Sequence, residues 1–203
     1  NQYQKTVKDE VGNFPREDLI RIYRDMCYIR EFETMIQLIK TTGEYQGVPY
    51  NHPGPAHLGI GQEAAYVGQA YHLSINDFSF GSHRSHGEIL ARGLRAVETL
   101  PEEQLRSIME DFDGGKILRV LGNSQLDIRA LGRDFLLYGM TCETFGRENG
   151  FNRGLGGSMH AFFTPFGIYP NNAIVGGSGP IGPGAALYKL SNHKDGIVVC
   201  NIG

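Results

Sequence analysis

The tetrad His83-Arg84-Ser85-His86 places a guanidinium between two imidazoles within four residues. Such a group holds anions, because the planar arginine fork matches phosphate oxygens in pairs and imidazole adds further donors. The same four residues also read as a solvated loop whose histidines cap the next helix. A second candidate, His57, stands in a Pro/Gly-rich stretch just ahead of a helix start, where a purely structural histidine is the plain alternative. The third is the run Gly176-Gly177-Ser178-Gly179-Pro180-Ile181-Gly182-Pro183-Gly184. Without a side chain, backbone can approach a flat or anionic ligand closely, although sharp turns call for glycine equally. No Gly-Lys-Ser/Thr follows, so this is not a Walker loop. Gly177, Gly179 and Gly182 match the spacing of a dinucleotide fingerprint, but a meagre strand precedes them and no acidic residue is well placed after them.

The elements that must position these groups follow from periodicity and punctuation. Residues 1–14 are polar and aperiodic and read as an extended arm. From Pro15, apolar residues recur at helical spacing (Leu19, Ile22, Met26, Ile29, Ile36, Ile39) until Gly43 stops a long amphipathic helix. Gly43 to Gly59 is a loop by its Gly and Pro content, and it feeds a second helix running to about Leu73. Phe78-Ser79-Phe80 reads as a short strand, so the His83 tetrad falls between a strand and a helix that continues to about Leu94. In open α/β sheets, ligands are met at that position, the carboxyl ends of strands. A helix opened by Thr99 and Pro101 ends at Gly114-Gly115. Another begins at Ser124, with Asp127 at capping-box spacing, and continues toward Phe145. Residues 97–140 thus form a mainly helical insert. A helix from about Gly182 to Asn192 precedes Ile197 to Ile202, an apolar run typical of a parallel strand buried on both faces. Strands alternating with helices predict an α/β domain over residues 15–203, with a parallel sheet flanked by helices.

Composition narrows the setting. The 203 residues are 40% hydrophobic with a net charge of −3, which excludes a disordered chain, and no basic run marks a nucleic-acid partner. No apolar segment is long enough to span a membrane, and no signal peptide opens the chain; both favour the cytoplasm. Cys27, Cys142 and Cys200 form no Cys-x-x-Cys pair and read as buried thiols of a reducing compartment. Half of the 28 glycines lie between Gly139 and Gly203. A glycine surplus confined to one third of the chain points to a local structural demand rather than to low complexity.

Taken in order, five motifs resemble one family. They are Ile29-Arg30-Glu31-Phe32-Glu33, His57-Leu58-Gly59-Ile60-Gly61-Gln62-Glu63-Ala64, Ser82-His83-Arg84-Ser85-His86-Gly87, Gly156-Gly157-Ser158-Met159-His160 and Ile174-Val175-Gly176-Gly177. Together they resemble the alpha subunit of thiamine-diphosphate-dependent 2-oxo acid dehydrogenases, with the His-Arg-x-His-Gly form closer to the acetoin branch. The resemblance implies a thiamine-diphosphate-binding fold and several roles. His83 and Arg84 would contact the cofactor diphosphate, and His57 and His86 would line the active-site mouth. Backbone at Gly176, Gly177, Ser178 and Gly179 would hold the aminopyrimidine ring, with Gly157 to His160 as the floor of the same pocket. The about 40 residues between the His-Gly helix and Glu143-Thr144-Phe145-Gly146-Arg147 depart from the family's short link.

The family's metal-binding turn would begin at Gly203, so this sequence carries no metal ligand and the fold is expected to be incomplete at its C-terminus. Mg2+ would be held by residues beyond Gly203. The implied activity is decarboxylation of a 2-oxo acid, or cleavage of acetoin, with a beta subunit or beta-like domain as partner. The acyl group would pass to the lipoyl carrier of an acyltransferase, in a hetero-oligomer or a dimer of a fused chain. A transketolase-type carboligase, an NAD-dependent oxidoreductase and a non-catalytic fragment are the alternatives.

Overall fold

The computed structural model describes residues 2–122 and 127–203. Its arm is not extended throughout: Val7–Glu10 forms one helical turn, α1, because Thr6 and Asp9 complete a capping box. Helix α2 (Arg16–Thr42) lies between the two residues expected to bound it. Pro15 is its N-cap, and Gly43 closes it in the left-handed conformation with its N–H on the Ile39 carbonyl. The following loop starts with a small hairpin, β1 (Glu44–Tyr45) against β2 (Val48–Pro49). Helix α3 (Glu63–Tyr71), strand β3 (Phe78–Phe80) and helix α4 (His86–Thr99) come next. Helix α4 runs past the expected end at Leu94 because Ala96 and Val97 are also core residues.

Helix α5 (Glu102–Asp111) does not stop at the glycine pair. A 3-10 turn over Phe112–Gly115 carries the chain into an unforeseen short helix, α6 (Lys116–Leu121). Helix α7 (Ile128–Thr144) is capped by Asp127, whose carboxylate accepts the N–H groups of Arg129 and Ala130. Ser124, the expected start, lies outside the described residues. After strand β4 (Ile168–Tyr169), helix α8 (Ser178–Ser191) begins earlier than Gly182. Pro180 falls in its first turn, where the missing N–H has no helical partner to lose.

Strand β5 (Val198–Cys200) completes a three-stranded parallel sheet of order β4-β3-β5, with Phe80 opposite both Tyr169 and Cys200. The chain is therefore mixed α/β with a parallel sheet. Contrary to the expectation of burial on both faces, β5 is only half-buried and Ile197 and Ile202 are exposed: among the described residues it is an edge strand, and α8 is the main helix packed on it. Only Ser178, Gly182 and Lys189 of α8 are buried. The cysteines are unpaired thiols, as expected, but they are not buried: Cys27 is exposed and the other two are half-buried.

The core lies on the helical side. Ile29, Phe32 and Ile36 of α2 meet Tyr66 and Val67 of α3, Leu90 and Leu94 of α4, and Phe135, Leu136 and Met140 of α7. Phe112, Phe151, Phe163 and Phe166 extend it as a ring cluster, with Phe151 and Phe163 stacked at 4.5 Å. Gly87 lets α4 and α3 approach, since a Cβ there would overlap the Tyr66 ring. This close contact fixes the start of α4, and with it the tetrad, against the helix that follows His57.

Candidate functional site

The parallel register sets the carboxyl ends of β3 and β5 side by side, and the Asn201 N–H donates to the Phe80 carbonyl at 3.0 Å. Both strands open into a cleft of about 410 Å³, walled by Tyr66 and Gln69 of α3 and by its N-cap Gln62, and floored by Cys200 to Gly203. The loop Gly81 to Ser85 supplies its third side. Glu88 on α4 holds that loop by accepting the Ser82 N–H at 2.7 Å and the Ser82 hydroxyl at 2.8 Å. Gly81 is required there, because a Cβ would stand 2.8 Å from the Glu88 carboxylate. Burial pushes the Glu88 carboxyl above its ordinary range.

His83 and Arg84 line this cleft. The Nδ1 of His83 is buried and has no hydrogen-bond partner. Burial first, then the neighbouring Arg84 and His57, hold its imidazole below the usual histidine range. Arg84 is exposed and donates from Nη1 to the Leu58 carbonyl at 3.1 Å, which ties the tetrad to the motif of His57. The His57 and His83 rings meet edge to face at 5.9 Å. On the opposite lip, the Gly176 N–H donates to the Ile202 carbonyl at 2.8 Å, and the Ser178 hydroxyl donates to the Gly81 carbonyl at 2.8 Å. Gly182 packs on β5, where a Cβ would lie 2.6 Å from the Cys200 sulfur. His57, His83, Arg84 and the Gly176 to Gly179 turn are thus gathered around the ends of two strands. No strand leads directly into Gly177, which removes the structural context of a dinucleotide fingerprint.

His86 is placed differently from the expectation of a residue at the mouth. As the first residue of α4 it turns into the protein and is fully buried, edge-on to Phe32. Its Nε2 meets the Ser158 hydroxyl at 2.6 Å, and its Nδ1 stands 3.2 Å from the buried carboxylate of Glu33 on α2. Gly157, Ser158 and Met159 do not form the cleft floor either. They line a separate cavity of about 240 Å³ with Thr144, Phe145 and His52, while His160 is exposed.

Two side chains central to this geometry were not singled out from the sequence. Glu143, fully buried on α7, accepts four backbone N–H groups: those of Asn152 and Gly154 at 2.7 and 3.0 Å on one oxygen, and those of Gly156 and Gly157 at 2.7 and 3.1 Å on the other. One carboxylate therefore shapes the whole glycine-rich turn. The signal available was an acid followed at short range by several glycines. His52, buried in the Pro/Gly loop, gave no signal beyond its residue type.

Curated proteins are similar to this chain over most of its length. Over 98% of this chain, 28% of residues are identical to the alpha subunit of acetoin:2,6-dichlorophenolindophenol oxidoreductase from Bacillus subtilis. Over 95%, 27% are identical to the pyruvate dehydrogenase E1 component subunit alpha of Rhizobium meliloti, and over 93%, 30% to that of Zymomonas mobilis. The chain is a relative of dehydrogenase alpha subunits. It spans less than half the length of these curated relatives, 45%, 42% and 40% respectively. No protein-family profile matches it. Among the described residues, no three His, Cys, Asp or Glu side chains converge as a metal site, and no helix is long and apolar enough to cross a membrane.

Proposed function

We propose that this chain forms the alpha-side wall of a thiamine-diphosphate site in a 2-oxo acid or acetoin dehydrogenase of the cytoplasm. The observation that carries the reading is the unpartnered, buried Nδ1 of His83 beside the exposed Arg84 guanidinium, in a cleft at the carboxyl ends of β3 and β5. The donor set fits a diphosphate. Arg84 is an obligate cation, His83 has an unused ring nitrogen, and Glu88, the one carboxylate lining the cleft among the described residues, is engaged by Ser82. His83 and Arg84 would hold the diphosphate, His57 would stand over it, and the Gly176 to Gly179 backbone would meet the aminopyrimidine edge. His86 acts through Ser158 as a positioning residue, fixing the Gly156 to Met159 turn from within.

Bound thiamine diphosphate supplies a nucleophilic carbon and an electron sink for breaking the bond next to a 2-oxo or acetoin carbonyl. Mg2+ belongs to the same proposal, with ligands from outside this sequence. A beta subunit would complete the site, and a lipoyl acyltransferase would receive the acyl group. The helical segment 97–140 stands in the proposal as an elaboration of the domain.

The test is calorimetric titration of the full-length protein with thiamine diphosphate in the presence of Mg2+, before and after His83→Ala. Each lost charge-assisted hydrogen bond to the diphosphate should weaken binding about tenfold or more. Saturable thiamine diphosphate binding that weakens in the variant is the expected result. Binding of NAD with no binding of thiamine diphosphate would overturn the reading.

A further inference from the structure

The cavity between the His52 to Pro55 loop and the Gly156 to Met159 turn shares no lining residue with the cleft. Its walls are rigidly held. Lys40 on α2 donates to the His52 and Gly54 carbonyls at 3.0 and 2.8 Å, which pins the loop. Phe145 packs against His52 at 5.4 Å and against Tyr50 at 4.8 Å, and Arg147 donates to the Tyr50 hydroxyl at 3.0 Å. The opposite wall is the turn held by Glu143.

Two side chains lining this cavity carry buried polar atoms that make no well-formed hydrogen bond. His52 is 7% exposed and neither ring nitrogen makes one, although the Pro55 backbone stands close enough to favour the protonated ring. Thr144 is 2% exposed and its hydroxyl is likewise unpartnered. Other helical threonines satisfy their hydroxyls within the helix. Thr34, Thr41, Thr42 and Thr99 each donate to the carbonyl four residues earlier in their helix, at 2.7 to 2.9 Å. A buried donor left unused beside a cavity marks a place where a partner belongs, since buried polar groups are otherwise almost always satisfied.

We infer that this cavity binds a small uncharged carbonyl compound, a ketone or an aldehyde, whose oxygen accepts from Thr144 and His52. Among the described residues no Lys, Arg, Asp or Glu side chain lines it, and the Gly156 and Gly157 N–H groups that could have cradled an anion are consumed by Glu143. Burial, then the Lys40 charge, hold the His52 imidazole below its usual range against the opposing Pro55 backbone, and so favour the neutral ring with one N–H donor and one acceptor. Pro53, Pro55, Phe145 and Met159 supply the apolar surround for an alkyl group. The inference does not rest on the cofactor reading.

The probe is butan-2-one, titrated into the full-length protein and followed by saturation-transfer NMR. Two comparators are used: 2-methylbut-1-ene, in which a methylene group replaces the oxygen, and propionate, which is similar in size but anionic. Butan-2-one should bind at least tenfold more tightly than either. Thr144→Val should weaken it about tenfold, the range expected for one lost hydrogen bond, whereas Thr144→Ser and His83→Ala should leave it within about twofold. Equal binding of the ketone and the alkene, or of the ketone and propionate, would overturn the proposal, and so would a Thr144→Val protein that binds as well as the parent. Should Thr144→Val fail to fold, the comparison of ligands on the unaltered protein still decides.

Discussion

His83 and His86 stand three positions apart in the sequence, yet they belong to different parts of the molecule. His83 stands at the end of β3 with one ring nitrogen unused and an exposed arginine beside it. His86 begins α4, is fully buried, and spans the distance between Glu33 and Ser158. The difference comes from the turn itself. Residues 81–85 follow the strand outward, and the first helical turn then swings the next side chain back against α2. A single short segment therefore both offers a ligand-facing group and anchors the wall behind it.

The buried side of this comparison should be the costly one to disturb. Glu143→Ala would strand four backbone N–H groups in the interior. With roughly 1–3 kcal/mol for each unsatisfied buried donor, partly relieved by relaxation and water, we expect a loss of about 3–5 kcal/mol in urea unfolding. A loss under about 1 kcal/mol would show that the glycine turn holds its shape without the carboxylate.

Next in size is the pair of histidines. His86→Ala removes the hydrogen-bond partner that the Ser158 hydroxyl has among the described residues, leaves the Glu33 carboxylate without its neighbour, and opens a cavity beside Phe32. Its expected cost is about 2–4 kcal/mol. His83→Ala, by contrast, should change stability by less than about 0.5 kcal/mol while weakening the anion-binding cleft. Equal unfolding midpoints for the two variants would erase the distinction between them.

How much of this was readable beforehand depended on how local each determinant is. Pro15 and Gly43 act on their own neighbours, so the bounds of α2 were legible, as was β3 as an aromatic strand before the tetrad. The parallel direction of β5 was legible from its apolar run. Its exposure was not, because burial depends on what stacks beside a strand rather than on its own residues. Helix α6 was missed because Asp113, Gly114 and Gly115 take positive φ and still pass the chain onward instead of ending the helical region. In the site, His57, His83, Arg84 and the Gly176 turn were found through their motifs. The inward turn of His86 was hidden, since its partners Glu33 and Ser158 lie far away in the chain. Glu143 was hidden for a related reason: its partners are backbone N–H groups, which every residue but proline has, so residue types say little about which ones it binds.

Glu63 gives the finest test of the contrast between buried and open anchors. Like Glu143, it is a buried carboxylate that fixes a wall, here the start of α3 beside the cleft. Its main partner, however, is Arg30, whose side chain is half exposed. Arg30 donates through Nε and Nη2 at 2.6 and 2.8 Å and, despite opposing burial, holds the Glu63 carboxyl down at about 2 against its ordinary 4.5. Because the folded-state value is depressed, the stabilisation is present above the unfolded value of 4.5 and is lost as pH falls through about 2. Unfolding midpoints measured at about pH 5 and about pH 3 should therefore fall more steeply toward acid in the parent than in Glu63→Gln. High salt should shrink that difference, because the Arg30 end of the pair is open to solvent. A parent and variant with the same acid slope would mean that Arg30 contributes geometry to the start of α3 and no net charge stabilisation.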